Sequence, residues 1–415
     1  MSSVAMTGRG RSGSRPLRIL AIHRYYWPDA PPYASMLRRI VSSWQQVGHQ
    51  VDVLSSQPSY KAALENQKRP ASERLDGARV SRLSLPSESG RPVVRILNAL
   101  KLCAAIWCKA LLGRRYDVIM VSTAPPVLAG FACALVARLR GSRFIYHCMD
   151  IHPEIGRISG EFRNPVVFRT LQAMDRWSCR QARPVVVLSD DMQHALENRK
   201  AGDTLEIAVI NNFSLPSDEE VCEKLPFTME RNGFNLIFAG NIGRFQGLEA
   251  LIKAMALLSD RPDIRLILMG EGAAKSELES LARELEANVH FVGHHPVSVA
   301  KLAMQKADAG FVSLASDIYR YAYPSKTMTY LEQGCPLLVA VEPESRLAKE
   351  VLENQLGAAV SAGDGDSIAQ GILSMADDSS QLQQAKMNAE SWGRKNYSES
   401  EVLPLWQALL ESPSK

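Results

Sequence analysis

FNLIFAGNIGRFQGLEALIKA, residues 234–254, passes from an apolar run through a turn holding three glycines into an amphipathic stretch. A strand covered on both faces reads as a near-continuous apolar run, which is the mark of a parallel sheet. Gly240, Gly243 and Gly247 then allow the tight turn into a helix. Strand, glycine-rich turn and helix together form one repeat of a doubly wound α/β sheet. The glycines do not follow a GxGxxG spacing, so the turn does not indicate a dinucleotide.

The same rhythm continues on both sides. Downstream come RLILMGEG (265–272), a helical pattern over 274–286, VHFVGHHP (289–296), another over 298–306, AGFVSLA (309–315), PSKTMTYLEQG (324–334) and PLLVAVE (336–342). Upstream, strands are predicted at 17–23, 50–56, 79–85, 117–123, 143–149 and 184–189, with a helix near 34–47 stopped by Gly48. At 415 residues the chain exceeds one ordinary core. A polar stretch at 195–215 and the charged linker SDEEVCEK (217–224) mark the junction. The expectation is an α/β protein of two Rossmann-like, doubly wound domains facing across a cleft. A disordered leader occupies 1–15, a first domain 16–205 and a second 206–395, with a C-terminal helix at about 396–415 packing back on the first domain.

Charge divides along the same line. Residues 1–215 hold 30 Lys+Arg against 16 Asp+Glu, and the remainder holds 18 against 28. A basic half points to an anionic partner. No zinc-finger spacing, RNP-like string or helix-turn-helix pattern accompanies it, which argues against nucleic acid. An anionic membrane surface is the preferred partner. Seven cysteines without a CxxC pair argue for reduced thiols, a cytoplasmic setting and neither zinc nor disulfides. VRILNALKLCAAIWCKALLGRR (94–115) is interrupted by Lys101 and Lys109, so it reads as an interfacial amphipathic helix or an ordinary sheet-packing helix rather than a membrane span. In the interfacial reading Leu100, Cys103, Trp107 and Leu111 share a face.

Three stretches carry chemistry. In PSKTMTYLEQGCP (324–336), a helix begins at Pro324 and stops at Gly334, with Ser325 and Lys326 in its first turn. A helix start with a hydroxyl and a cation suits phosphate. AGNIGRFQG (239–247) places Arg244 inside a glycine-rich turn, where backbone and guanidinium can both approach a pyrophosphate. YHCMDIHPE (146–154) follows a strand and brings His147, Asp150, His152 and Glu154 near its end. Asp150 first, then His147, are candidates to accept a proton from an attacking hydroxyl. Strand alternation sends these two to opposite faces if the strand extends that far, which disfavours a metal site.

Taken in order, RYYWPDAPPYASMLRRIVSSWQQVGHQVDVLSSQPSY (24–60), YDVIMVSTAPPVLAG (116–130), YHCMDIHPE, VVLSDDM (186–192), VINNFS (209–214), FAGNIGRFQGLEALIKA (238–254), LMGEG (268–272), FVGHHP (291–296) and PSKTMTYLEQGCPLLVA (324–340) resemble glycosyltransferase family 4. The likeness is to its O-antigen, capsule and colanic-acid branch and covers nearly the whole chain. It implies the GT-B fold and a retaining, metal-independent transfer from a nucleotide diphosphate sugar to a glycan acceptor, lipid-linked in this branch, with no cofactor. On the matching positions, Gly240, Arg244, Ser325 and Lys326 would hold the diphosphate, with Asn241 and Gly243 also on the donor side and Gly270, Glu271, Val292, Gly293 and His294 near the nucleoside.

The chain departs from that family at two places. Where the family commonly has two Glu eight apart, this chain has Tyr321 and Thr329, with Glu332 one turn later as a partial substitute. Where the family has a second basic residue in the glycine-rich turn, this chain has Gln246. Asp29 and Tyr33 occupy the acceptor-side loop, stiffened by Pro28, Pro31 and Pro32. Two other readings fit the same fold: a sugar-nucleotide epimerase, distinguished by product formed without acceptor, and a non-catalytic partner of an active transferase, distinguished by binding without turnover.

Overall fold

The computed structural model describes residues 15–29, 31–59, 68–88, 91–199, 204–215, 222–229, 232–243 and 246–411. Most of the expected leader, and Arg244, lie outside the described residues. The first sheet contains β1 (Arg18–Ile22), β2 (Gln50–Ser56), β3 (Ser72–Leu75), β4 (Ala78–Leu83), β5 (Val118–Ser122), β6 (Arg143–His147), β7 (Val185–Val187) and β8 (Ile207–Val209). Their order across the sheet is β3-β4-β2-β1-β5-β6-β7-β8. The second contains β9 (Phe234–Ala239), β10 (Ile264–Met269), β11 (Val289–Gly293), β12 (Ala309–Ser313), β13 (Leu337–Ala340) and β14 (Gly357–Val360), in the order β11-β10-β9-β12-β13-β14. Neighbouring strands are parallel except for β3 against β4.

The apolar runs become central strands because helices cover both of their faces. Ile19 to Ile22 in β1 and Leu236 to Phe238 in β9 are buried. Roughly 1.5–3 kcal/mol accompanies each large apolar side chain so enclosed. The last helix, Glu399–Glu411, packs on helix Pro32–Gln46. Its Trp406 meets Trp44 of helix Pro32–Gln46 at 6.2 Å, and Trp44 Nε1 donates to the carbonyl of Trp406 at 3.0 Å.

Three strands and one boundary differ from expectation. β3 and β14 are additional strands, and β8 lies beyond the expected boundary at 205. β8 pairs with β7 through Val185↔Ile207, so the first domain runs through Val209 and the junction falls before β9. A three-residue strand, half-exposed at a sheet edge, is too short to show a period. The 94–115 segment forms helix Pro92–Ile106 and a π-helical turn, Trp107–Leu112. Leu102, Ile106 and Ala110 are buried, while Val93, Ile96, Leu97, Leu100, Trp107 and Leu112 are 37–79% exposed. Cys103 and Leu111, expected on the outer face, are half-buried. No helix of the described residues is long and apolar enough to cross a membrane.

The domains meet where the loop after β6 reaches the loop before helix Lys326–Glu332. Asp150 and Ala322 form an antiparallel bridge, and the Ile151 N–H donates to the Tyr321 carbonyl at 2.8 Å.

Candidate active site

The carboxyl ends of β9, β10 and β11 converge because glycines permit it. A Cβ on Gly270 (φ +146°) would lie 1.8 Å from the Gly240 carbonyl oxygen, and one on Gly272 would lie 2.1 Å from that of Ile242. Gly240 (φ +141°) leaves room for Lys326, whose Cε would sit 2.7 Å from a Cβ there. The sequence therefore places glycine where three turns and one lysine stem occupy the same volume. The N–H groups of Gly240, Ile242 and Gly270 are consumed by the carbonyls of Met269, Glu271 and Gly293. These glycines shape the crevice floor rather than offering those amides to a ligand.

Lys326 supplies the positive charge. Its Nζ lies 3.4 Å from the centroid of the Phe238 ring and donates to Gln246 Oε1 at 3.2 Å. Desolvation pushes its pKa down to about 7, since the charged form has lost water without gaining a carboxylate. Gln246, standing where the resembled family has a second cation, serves here as an acceptor for Lys326. Helix Lys326–Glu332 is held in place by Tyr330. Its hydroxyl accepts the Ala239 N–H at 2.8 Å and donates to the Ile237 carbonyl at 3.3 Å. Gly310 makes room, for a Cβ there would fall 2.6 Å from the Tyr330 ring. Phe238, Tyr330 and Gly310 were not singled out from sequence, because each is an ordinary core residue until the helix docks.

Among the expected donor residues, Gly240, Gly270 and Lys326 are brought together, and Gly293 joins them through its bond to Gly270. Asn241 and His294 are exposed, and Gly243 is half-exposed in the same turn as Asn241. Glu271 pairs outward with Lys275 at 2.8 Å. The Val292 carbonyl is 2.8 Å from His295 Nε2. Ser325 is exposed at the helix start without a side-chain cap bond, and Thr329 is half-buried on the same helix. Glu332 is a correction. Six residues beyond Lys326 is about 240° round a helix, and its carboxylate there accepts from Ser214, Lys301 at 3.0 Å and Gln333 at 3.0 Å. It braces the segment after β8 against helix Val297–Lys306.

On the first domain, three expectations change. His147 is 1% exposed, hydrogen-bonded through Nδ1 to the Tyr33 hydroxyl at 2.8 Å and packed on Trp406. Desolvation pushes its pKa down to about 3, so it is a core histidine, not a base facing a cleft. Tyr33 is buried with it, and Asp29 is buried accepting the Ser59 N–H at 3.0 Å. Tyr33 thus ties helix Pro32–Gln46 to β6, and Asp29 ties its own loop to the one after β2. Asp150 lies in the loop past β6, in the bridge to the second domain, and burial raises its carboxyl pKa, with nearby His152 opposing. That loop is clamped by Arg199, which donates to the His152 carbonyl at 2.8 Å, Glu154 at 2.6 Å and Asp175 at 2.5 Å. Arg199 had gone unnoticed in the sequence; its partners lie 24 to 47 residues away and leave no local pattern.

Two parallel-sheet domains with a glycine-floored, lysine-bearing crevice at the strand ends of the second are those of a GT-B glycosyltransferase. The family profile described as "Glycosyl transferase 4-like domain" matches residues 33–212, and "Glycosyl transferases group 1" matches 233–378. The chain belongs to glycosyltransferase family 4. It is similar to a protein named probable glycosyltransferase WbjE of Pseudomonas aeruginosa, 23% identical over 281 residues, 64% of this chain and 67% of that protein. It is also similar to the putative colanic acid biosynthesis glycosyl transferase WcaI of Escherichia coli K12, 22% identical over 350 residues, 80% of this chain and 85% of that one. Its fold is shared with Anabaena HepE in complex with UDP, at a TM-score of 0.68 and 16% identity, covering 96% of this chain and 100% of HepE.

Proposed function

We propose that this transferase moves a sugar from a nucleotide diphosphate sugar to a lipid-linked glycan acceptor in surface polysaccharide synthesis, with retention of anomeric configuration. The observation that carries the donor reading is Lys326, an amine without a carboxylate partner among the described residues, aimed into the crevice at Gly240. The solved relative HepE holds UDP, and the name of WcaI refers to colanic acid; both support the reading. In the step, the acceptor oxygen bonds to the anomeric carbon, the carbon–oxygen bond to the diphosphate breaks, and the nucleoside diphosphate leaves with the electron pair. Lys326 offsets the charge that develops on it. Asp150, whose pKa is raised, takes the acceptor hydroxyl proton.

The basic first domain and the exposed apolar face of helix Pro92–Ile106 support docking on the anionic inner face of a membrane, where a lipid-linked acceptor resides. The seven free thiols suit a reducing cytoplasm. The direct test is purified protein with a panel of nucleotide sugars and lipid-linked acceptors, read by mass spectrometry. Glycosylated acceptor with released nucleoside diphosphate is expected. Absence of both donor binding and product across the panel would refute the reading, and an epimerised sugar nucleotide without acceptor would replace it.

A further inference from the structure

A cavity of about 1300 Å3 lies between the domains, with Glu154 and Tyr321 in its walls, and these flank the Asp150–Ala322 bridge. Gly240, Gly270 and Lys326 do not line it, so it is a different space from the donor crevice. Arg157 and Arg169 enter it from the first domain, Arg320 and Lys349 from the second.

Five carboxylates also line this space, and each has an internal partner. Glu154 is held by Arg199 at 2.6 Å, Asp190 by Arg346 at 3.7 Å, and Asp317 by Arg320 at 3.8 Å. Asp191 accepts the Arg346 N–H at 2.7 Å, and Glu344 accepts from the Tyr319 hydroxyl at 3.2 Å. Arg157, Arg169 and Lys349 have no ion-pair partner among the described residues. Arg157 instead lies over the Phe168 ring at 4.8 Å, which orients its planar fork while leaving its N–H edges unused. The acids are spent inside the wall; of the cations, Arg320 shares its charge with the exposed Asp317, while Arg157, Arg169 and Lys349 do not pair among the described residues.

We propose that this pocket binds a phosphate-bearing ligand gripped from both domains, by Arg157 and Arg169 on one side and Arg320 and Lys349 on the other. Guanidinium forks match phosphate oxygens in pairs, and a ligand bridging two domains favours their closed arrangement. By reciprocity, a filled pocket tightens nucleotide binding in the crevice if closure assembles that crevice. Val166 and Val167 lie between the lining residues Pro165 and Phe168 and are 70% and 46% exposed. Arg95 of helix Pro92–Ile106 reaches Glu161 at 3.1 Å in the loop just ahead of them, so the N-terminal end of that helix, with its exposed Val93 and Ile96, lies beside that loop. A hydrocarbon chain attached to the phosphate would run onto that surface. The inference rests on the transferase reading only for the ligand's role as acceptor, not for its binding.

The test uses the full chain saturated with UDP and titrated calorimetrically, first with inorganic pyrophosphate and then with farnesyl diphosphate. One further binding event is expected. It weakens by about tenfold or more in Arg157→Ala/Arg169→Ala and equally in Arg320→Ala/Lys349→Ala, while UDP affinity without the second ligand stays unchanged. Farnesyl diphosphate binding at least about tenfold tighter than pyrophosphate supports the site with a lipid headgroup as its occupant. Equal affinities support it with free phosphate or a phosphorylated sugar as the occupant. No second event at saturating UDP, or one indifferent to both double variants, overturns the proposal. A wild-type protein that binds no UDP at all counts against the donor crevice instead.

Discussion

Lys326 lies with its amine against the face of Phe238 and the amide oxygen of Gln246, and this pushes its pKa down to about 7. The folded pKa is below the unfolded one, so between about 7 and 10.4 the unfolded chain binds more protons and stability rises with pH. A diphosphate reverses the balance by giving the ammonium a counter-charge. At pH 8, where the free side chain is mostly neutral, UDP binding is expected to take up about 0.5–1 proton. Calorimetry in two buffers of different ionisation enthalpy measures this. In Lys326→Met the uptake should vanish and UDP affinity fall about tenfold or more. Asp150 makes the complementary case, because burial favours its protonated form. Asp150→Asn should lower kcat by about 100-fold or more while leaving the UDP dissociation constant within about twofold. Wild-type turnover should fall as pH drops through the raised pKa of Asp150, since a base must be deprotonated. An unchanged kcat in the variant would return Asp150 to a purely bridging role.

At the scale of elements, close approach of backbones is the governing demand. The β9 and β10 turns touch so closely that a methyl group on Gly270 has no room beside the Gly240 carbonyl. Gly270→Ala should therefore displace the β9 turn, lower stability by about 1–3 kcal/mol and weaken UDP binding, read by thermal melts and calorimetry. Arg199 joins helix Asp190–Glu197, whose end it follows, to helix Glu154–Ile158 and to Asp175 of helix Pro165–Gln181, with all three side chains largely buried. Arg199→Met leaves two carboxylates buried without their cation, and urea unfolding should show a loss of about 3–5 kcal/mol. Adding Glu154→Gln and Asp175→Asn to that variant should recover part of it. The strands were legible as apolar runs, yet β3, β8 and β14 were not, being three or four residues long and each having at most half-buried or exposed positions.

For the whole molecule, the excess of positive charge in residues 1–215 lies on the domain that also presents Ile96, Leu97 and Leu100 outward. Vesicles containing anionic lipid should recruit the protein at low salt and release it as salt rises, because screening shortens the reach of the arginines. Ile96→Glu/Leu100→Glu should reduce co-sedimentation about tenfold or more with no change in melting temperature, since neither side chain is in the core. Equal sedimentation of the variant would leave attraction to charge alone as the cause.

The order of apolar runs and glycines determined the two parallel sheets and the glycine-floored turns at the ends of β9 and β10. Strand burial and positive φ are demands that each residue meets locally, so residue type records them. The facing of side chains was decided by the tertiary structure. Tyr33 and His147 are 114 residues apart, and only the packing of helix Pro32–Gln46 and the returning C-terminal helix on β6 turned both inward. Glu332 was likewise withdrawn by Lys301 on a neighbouring helix of its own domain and by Ser214 in the segment after β8, partners far from it in sequence. A polar side chain goes to whichever partner the assembled fold brings within hydrogen-bond reach, and no local spacing encodes that distance.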